Sequence, residues 1–415
     1  MSTKQRSDSS KGKYIDLFSG CGGLSLGLRN AGWQGVFAIE KDPMAFSTFK
    51  HNLIDNKDSH FDWPEWLPIE EATIQDVLEK HKKELVSLRG HVDLIAGGPP
   101  CQGFSLAGKR NEKDPRNKLS EEYIKMVEIV SPKFILLENV KGFDSSFKNS
   151  SKKPYSMVVK AKLEKLGYKV FHDYICSADF GVPQNRTRFI MIAVKRELIS
   201  SKDFNPFSII SNTRRDFLLS KKLPLRHIKV SEAIGDLLVS TNGLAYHSGS
   251  ESNGFKKIDY KKTRKQSSYL KVMRSGSDGR SPNSLRLARH RDTTIEKFKK
   301  IQKICKPGIS LNDSMREQIG TKKQAITVLN ANEPSKTLTT LPDDLLHYCE
   351  PRILTVREMA RIQSFPDSFR IRGKYTTGGE RRTMECPRYT QIGNAVPPLL
   401  AEALGITIRK LFDKG

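Results

Sequence analysis

The chain has 415 residues, 37% of them hydrophobic and 8% aromatic, which allows two or three domains and excludes a mini-protein or a wholly disordered chain. No apolar run approaches the ~20 residues of a membrane span, so we expect a soluble, cytoplasmic protein. With 71 Lys and Arg against 46 Asp and Glu, the net charge of +25 favours a polyanionic partner, nucleic acid first and an anionic membrane surface second.

Strand-like apolar runs alternate with helical patterns over the first two hundred residues. Residues 1–13 are polar and lack the apolar core of a signal peptide, so they predict a flexible tail. The alternation that follows is typical of a mostly parallel sheet covered by helices. Strands are predicted at 14–18, 36–40, 92–98, 134–140 and 188–194. Helices are predicted at 24–29, 44–51, 123–130, 155–166, 355–363 and 398–411.

The middle of the chain, from residue 195 to about 348, is irregular and basic and indicates a second domain. Residues 256–306 contain seventeen Lys or Arg against four Asp or Glu. Such a charge run, taken alone, fits a solvated surface or a disordered insertion as well as it fits a functional segment. Interleaved apolar residues favour a folded segment, and these are Tyr260, Tyr269, Leu270, Met273, Leu285 and Phe298.

A glycine-rich turn follows the first predicted strand in the run DLFSGCGGLSLGL, which contains Gly20, Gly22 and Gly23. Glycine permits positive φ and a close approach of the backbone to a ligand. Glu40 ends the second strand, where an acid can accept hydrogen bonds from ribose hydroxyls. Asp76, in TIQDV, is expected at the end of a third strand, facing an adenine amine. A purely structural tight turn is the alternative; the ordered strand, turn, helix and acid favour a nucleoside cofactor.

The run GGPPCQGFS (97–105) follows the fourth strand, counting the one expected before Asp76. Open α/β sheets place their chemistry beyond the carboxyl ends of the strands, and two prolines fix the backbone just ahead of Cys101. The polar stretch 108–118 predicts a basic lid. An ordinary surface loop with an inert thiol is the alternative.

The six cysteines form no C-x-x-C pair and no short Cys/His spacing, so we expect a reduced chain without a metal.

A carboxylate and two arginines accompany this loop. Glu138, in ENV (138–140), ends an apolar strand at the same rim as Cys101. A buried acid there is neutralised by a partner or kept for acid chemistry. Arg186 and Arg188, in QNRTR (184–188), lie on one face if the chain is extended and can be its partners. A structural salt bridge explains the Glu and Arg pair equally well, but it does not explain the cysteine.

At these residues the sequence resembles the DNA (cytosine-5)-methyltransferase family of bacterial restriction-modification systems. The motifs, in family order, are DLFSGCGG, GGPPCQGFS, ENV, GVPQNRTR, RILTVREMARIQSFPD and QIGNAVPP, and PSKTLTT also fits the lead-in to the fifth of them. The resemblance implies an α/β fold, a Rossmann-like S-adenosylmethionine-dependent methyltransferase sheet with a second, smaller, irregular target-recognition domain. It assigns residues 14–194 and 352–415 to the catalytic and cofactor-binding domain and residues 195–351 to target recognition.

The resemblance also implies roles for individual residues. Cys101 is the expected nucleophile, Glu138 holds the cytosine, and Arg186 and Arg188 support nucleophile and base. Lys41 departs from the aromatic that some members stack on adenine, so only its aliphatic stem is available for that contact. The residues expected to contact S-adenosylmethionine, which leaves as S-adenosylhomocysteine, are Phe18, Gly20, Gly23, Glu40, Asp76, Pro100, Asn394 and Val396. No metal is expected.

The implied substrate is double-stranded DNA, bound by a monomer in the bacterial cytosol without membrane contact. A cognate restriction endonuclease acting separately on the same site is a further candidate partner. Two other interpretations stay open, a tRNA cytosine methyltransferase and a catalytically silent DNA-binding regulator. The long basic insertion favours DNA over tRNA, and the intact Cys101, Glu138 and arginine pair favours an enzyme over a regulator.

Overall fold

The structure is a computed structural model that describes residues 11–55, 59–100, 118–146, 153–247, 254–261, 266–277, 281–379 and 384–413. The strands are β1 Lys13–Leu17, β2 Gln34–Ile39, β3 Leu94–Gly97, β4 Phe134–Asn139, β5 Tyr168–Cys176, β6 Gln184–Asn185, β7 Thr187–Lys195, β8 Leu244–Tyr246, β9 Lys256–Ile258, β10 Thr327–Val328, β11 Ser335–Lys336 and β12 Leu345–Leu346. The helices are α1 Gly23–Asn30, α2 Pro43–Leu53, α3 Ile74–Lys80, α4 Lys82–Ser87, α5 Leu119–Val130, α6 Tyr155–Lys165, α7 Pro206–Ser220, α8 Val230–Ile234, α9 Val239–Asn242, α10 Ser268–Met273, α11 Asp292–Ile304, α12 Asp313–Ile319, α13 Val356–Ile362, α14 Arg388–Asn394 and α15 Pro398–Phe412.

A six-stranded sheet in the order β2-β1-β3-β4-β7-β5 forms the centre of the described structure. Strands β1 to β4 pair in parallel, whereas β7 lies antiparallel between β4 and β5. The strands are nearly continuous apolar runs because both faces of the sheet are covered. Neighbouring residues of β4, Leu136 and Leu137, therefore enter two different hydrophobic cores. Helices α1, α2 and α15 build one core, and α3 to α6 build the other. The fold is α/β, as predicted.

The predicted strands correspond to β1, β2, β3, β4 and β7. The edge strand β5 is not predicted, because His172 and Asp173 interrupt its apolar pattern. The prediction of a strand before Asp76 is wrong. The Thr73 hydroxyl accepts a hydrogen bond from the Asp76 amide and caps the first turn of helix α3, which lies there instead. The run 97–105 therefore begins at the end of the third strand of the chain, not the fourth.

The two ends of the described chain form one layer. Helix α15, predicted as 398–411, packs along α1, and its predicted apolar face is buried. A side chain at Gly27 would meet the Ala401 Cβ at 2.3 Å, so glycine there lets the two helices approach closely. The Trp33 indole donates to the Gly405 carbonyl oxygen at 3.0 Å. The last helix thus completes the core that the first helix begins.

The described residues of the basic middle segment are folded, as its interleaved apolar residues predict. Tyr269 and Met273 are buried against the residues of α13 and α8. Arg361 of α13 ties this segment to the C-terminal part, because it pairs with Asp236 of the segment as well as with Asp367. Arg274, within the segment, pairs with the same Asp236. Within the described ranges, no helix is both long and apolar enough to cross a membrane.

Candidate active site

The turn between β1 and α1 has a backbone that favours glycine. Gly20 and Gly22 have φ of 56° and 97°, and Phe18 has φ of 61°, a left-handed conformation that costs a non-glycine residue energy. The Gly20 amide donates to Glu40 Oε2, and the Asp42 amide donates to Glu40 Oε1, both at 2.9 Å. Burial raises the pKa of Glu40, while these two amides lower it. The carboxylate at the end of β2 therefore lies against the turn, as the spacing of Gly20 and Glu40 predicts.

The C-terminal motif QIGNAVPP closes over the same turn. A Cβ at Gly23 would lie 2.2 Å from the Val396 carbonyl oxygen, so only glycine allows this contact. Val396 is buried, and Asn394 is exposed at the end of α14. The Cys21 thiol is buried under the turn and faces the Gln391 carbonyl, and burial raises its pKa to about 12, so it is an inert packing residue.

Asp16, a charged residue inside the apolar run YIDLF, is a candidate that sequence reasoning missed. It is fully buried beneath the turn, and the Ser25 hydroxyl donates to its Oδ2 at 2.5 Å. Its Oδ1 has no partner among the described residues. Burial raises the pKa of Asp16 to about 7, and the nearby Glu40 carboxylate adds to the rise. A buried acid with one oxygen that has no hydrogen-bond partner, beside a glycine-rich turn, is typical of a functional site.

Asp76 lies in the first turn of α3 with an exposed carboxylate. It accepts from the Thr73 hydroxyl at 2.5 Å and lies 3.5 Å from the Lys80 Nζ, and both contacts lower its pKa, the first more strongly. The Ala72 amide donates to the Glu40 carbonyl oxygen at 2.9 Å, which joins the start of α3 to the end of β2. Thr73, the residue that follows, is therefore a second candidate at this edge, and its signal in the sequence is a helix N-cap pattern.

Glu138 and Arg188 meet at the carboxyl end of β4. Strand β7 runs antiparallel to β4, with Glu138 opposite Ile190, so the Arg188 guanidinium reaches the carboxylate diagonally across the strands. Arg188 Nε lies 3.0 Å from Glu138 Oε1, and the two side chains are only 11% and 12% exposed. A Cβ at Gly98 would lie 3.2 Å from Glu138 Oε2, so the end of β3 lies close to this pair.

Asn139 binds the backbone of Pro99, the first of the two prolines that follow β3. Its side chain is buried, and its Nδ2 donates to the Pro99 carbonyl oxygen at 3.2 Å. Its Oδ1 accepts from the Val140 amide at 2.9 Å, which orients the amide group. Sequence reasoning missed this role of Asn139. Cys101 itself, directly after Pro100, and the predicted lid up to residue 117 lie outside the described residues.

Arg186 belongs to a second network at the same side of the sheet. It is buried, and its Nη1 donates to the Leu338 carbonyl oxygen at 3.2 Å. Gln184 accepts from the Leu338 amide at 2.8 Å and donates to Gln363 Oε1 at 2.7 Å. Gln363 in turn donates to the Ile392 carbonyl oxygen at 2.7 Å. The motifs around Arg186, α13 and α14 are therefore connected through buried side-chain amides.

Comparison with known proteins gives consistent results along the whole chain. A family model described as C-5 cytosine-specific DNA methylase matches residues 12–410. The type II methyltransferase M.DdeI of Desulfomicrobium norvegicum is 33% identical over 96% of this chain and 89% of its own length. The type II methyltransferase M1.HphI of Haemophilus parahaemolyticus is 29% identical over 96% and 87%. A solved DNA modification methyltransferase encoded within an Escherichia coli prophage is 26% identical, with a TM-score of 0.63 over 97% of this chain and 100% of that one.

Proposed function

Because this chain belongs to the C-5 cytosine-specific DNA methylase family, and is a DNA (cytosine-5)-methyltransferase of the restriction-modification type, we propose that it methylates carbon 5 of a cytosine flipped out of duplex DNA, with S-adenosylmethionine as donor. The observation that carries the proposal is the Glu138–Arg188 pair at the end of β4, beside the prolines that precede Cys101. Such a carboxylate and guanidinium match the polar edge of a cytosine ring, and Cys101 follows the two prolines directly in the sequence.

The turn after β1 fits the proposed cofactor. The space that a Cβ at Gly20 would face is open to 4 Å, and the Glu40 carboxylate forms one wall of the turn. Glu40 can accept the ribose hydroxyls, since each carboxylate oxygen keeps a lone pair beyond its one amide bond. Asp76 and Thr73 are proposed for the adenine side. Phe18, Gly20, Gly23, Pro100, Asn394 and Val396 are proposed as the remaining contacts. S-adenosylmethionine supplies an electrophilic methyl group and leaves as S-adenosylhomocysteine.

Carbon 5 of cytosine is a poor nucleophile by itself, and the side chains of the site are proposed to make it more nucleophilic. Addition of the Cys101 thiolate to carbon 6 turns the ring into an enamine with a nucleophilic carbon 5. Glu138 then holds the exocyclic amine and ring nitrogen 3 as charge develops, and Arg188 donates to the carbonyl oxygen. Arg186 is proposed to support the nucleophile. After methylation, loss of the carbon 5 proton to a base restores the double bond, and the thiolate leaves from carbon 6.

The target carbon is inaccessible in stacked duplex DNA, so the base must leave the stack, at a cost of a few kcal/mol. We propose that the basic segment 195–351 is the target-recognition domain. Its contacts with DNA would offset the cost of removing the base from the stack, and they would select the DNA sequence that is methylated. A monomer acting on DNA is sufficient for this reaction, and a restriction endonuclease that cleaves the unmethylated form of the same site is the proposed biological counterpart.

Transfer of labelled methyl groups tests the proposal. The protein is incubated with labelled S-adenosylmethionine and either duplex DNA or tRNA, and with duplex DNA in which 5-fluorocytosine replaces cytosine. We expect label in duplex DNA only, and a covalent protein–DNA adduct with the fluorinated base, because fluorine cannot leave as a proton does. Label in tRNA alone favours the RNA enzyme, and no label in either favours a silent DNA-binding protein. Bisulfite sequencing of DNA from an expressing host identifies the target sequence.

A further inference from the structure

A cleft of about 530 Å³ opens between the β8–β9 hairpin and the segment that follows α13. Its basic lining residues are His247 and Lys257 from the hairpin and Arg370 and Arg388 from the later segment, against one carboxylate, Asp259. The size is that of sites for small ligands, typically ~300–1,000 Å³. The excess of cations in the lining is suited to the anionic backbone of a nucleic acid strand.

The wall of the cleft is built around Tyr375, which is 5% exposed. The guanidinium groups of Arg286 and Arg388 lie 4.0 Å and 4.1 Å from its ring centre. Arg388 also donates to the Tyr375 hydroxyl at 2.8 Å and to Ser284 Oγ at 3.0 Å. Arg388 lines the cleft, and because its guanidinium is held by the ring and by two hydroxyl groups, it has little freedom left to lose when an anion binds.

The later segment is fixed to the catalytic part as well as to the hairpin. Asn52 of α2 donates to the Arg370 carbonyl oxygen at 2.8 Å, and the Arg372 amide donates to Thr48 of the same helix at 2.9 Å. The Cys386 amide donates to Asp42 Oδ2 at 3.1 Å. A group bound in the cleft would therefore be held at a set position relative to the helix that begins beside Glu40.

We propose that this cleft binds a backbone phosphodiester of the DNA substrate, through Lys257 on one side and Arg370 on the other. The inference rests on the proposed function, and it extends DNA binding to Arg370, beyond the end of the target-recognition domain predicted at 351. A phosphodiester is favoured over a base because the cations outnumber the single carboxylate, and Arg370 is exposed at the rim. A two-stranded ribbon such as β8–β9 is also a shape that duplex DNA accommodates.

The double variant Lys257→Gln/Arg370→Gln tests the cleft. A labelled random-sequence duplex of about 40 base pairs serves as the probe, because phosphate contacts do not depend on sequence. We expect affinity to fall on the order of 10- to 50-fold at about 0.1 M salt, and the slope of log K against log salt to flatten by ~0.9 for each lost contact. The control, Lys83→Gln/Lys165→Gln, removes the same charge from exposed lysines of α4 and α6. Unchanged melting temperature and cofactor affinity establish that the variants are folded.

If the cleft variant and the control variant show the same DNA affinity and the same salt slope, the inference is overturned. A loss of affinity without a change of salt slope, which indicates a contact to a base, would also overturn it. If the double variant does not fold, Arg370→Gln alone is measured, with half the change of slope expected. Methyl transfer by the wild-type protein is measured separately: its absence would reject the proposed function, whereas the binding comparison decides the cleft by itself.

Discussion

Glu138→Gln removes the negative charge from the Glu138–Arg188 pair and keeps the shape of the side chain. If Glu138 stabilises charge on the cytosine during thiolate addition, we expect the rate of methyl transfer to fall at least ~100-fold, which is ~2.7 kcal/mol of barrier. The same change also leaves Arg188 without its carboxylate. Since both side chains are about nine-tenths buried, we expect the free energy of unfolding to fall by ~1–3 kcal/mol.

A double-mutant cycle separates these two effects. Arg188→Gln and Glu138→Gln/Arg188→Gln are measured beside the single Glu138 variant, by urea unfolding and by single-turnover transfer from labelled cofactor at saturating DNA. The double variant has no uncompensated charge, so it should regain stability relative to the singles. It should not regain the rate, because the group that holds the base is still missing.

Glu232→Gln is the matched control, since Glu232 is 18% exposed and paired with Arg226 at 2.7 Å, and it is not among the residues proposed for the methyl-transfer step. It should lose stability without a ~100-fold loss of rate. A Glu138→Gln rate within about 3-fold of wild type would refute the reasoning, as would a double variant in which rate and stability recover together. Either result would make Glu138 a structural partner of Arg188.

Three further substitutions test the nucleophile, the ribose contact and the buried acid. Cys101→Ser should abolish transfer and the 5-fluorocytosine adduct but preserve cofactor affinity by calorimetry, because an alcohol is not a comparable nucleophile at neutral pH; an adduct with the serine variant would contradict this. Glu40→Ala should weaken S-adenosylmethionine binding by ~1–3 kcal/mol, and unchanged affinity would exclude the ribose role. Because the pKa of Asp16 is raised to about 7, the unfolded state loses this proton near pH ~4 while the folded state keeps it, so stability should decline as pH rises from ~4 to about 7 and stay low above. Asp16→Asn should remove that decline. If the free energies of unfolding of the variant and the wild type, measured with urea, change in parallel with pH, the raised pKa of Asp16 is contradicted.

The central strands could be predicted because a strand that is buried on both faces of the sheet appears in the sequence as a continuous apolar run. β4 is a continuous apolar run up to Glu138, and its prediction is accurate to a residue. β5 carries no such signal, because it lies at the sheet edge and exposes His172 and Asp173. The run TIQDV is expected to end a strand, but a capping hydroxyl at Thr73 begins a helix there, and its buried residues Ile74 and Val77 are three positions apart. A five-residue run does not distinguish the two periods.

The site was predictable where its residues end strands, and not where distant segments meet. Glu138 and Arg188 lie at the ends of paired strands, so their contact follows from strand order. The link from Arg186 to Leu338 joins residues 152 positions apart, and nothing local in the sequence signals it. Asp16 is a similar case, since its burial depends on how α1 and its Ser25 cover the strand.

The position of the basic middle segment follows from the way the ends of the chain share one core. Gly23 and Gly27 of α1 lie against Val396 and Ala401, so the turn after β1 is completed by residues that follow the middle segment. Arg361 of α13 attaches that segment, since its guanidinium is held between Asp236 and Asp367. Removing one partner of a buried ion pair is costly, so these contacts hold the segment in one orientation relative to α13. The loops of the segment can therefore change while the geometry around Glu40 and Glu138 stays the same, which is what the proposed target-recognition role requires.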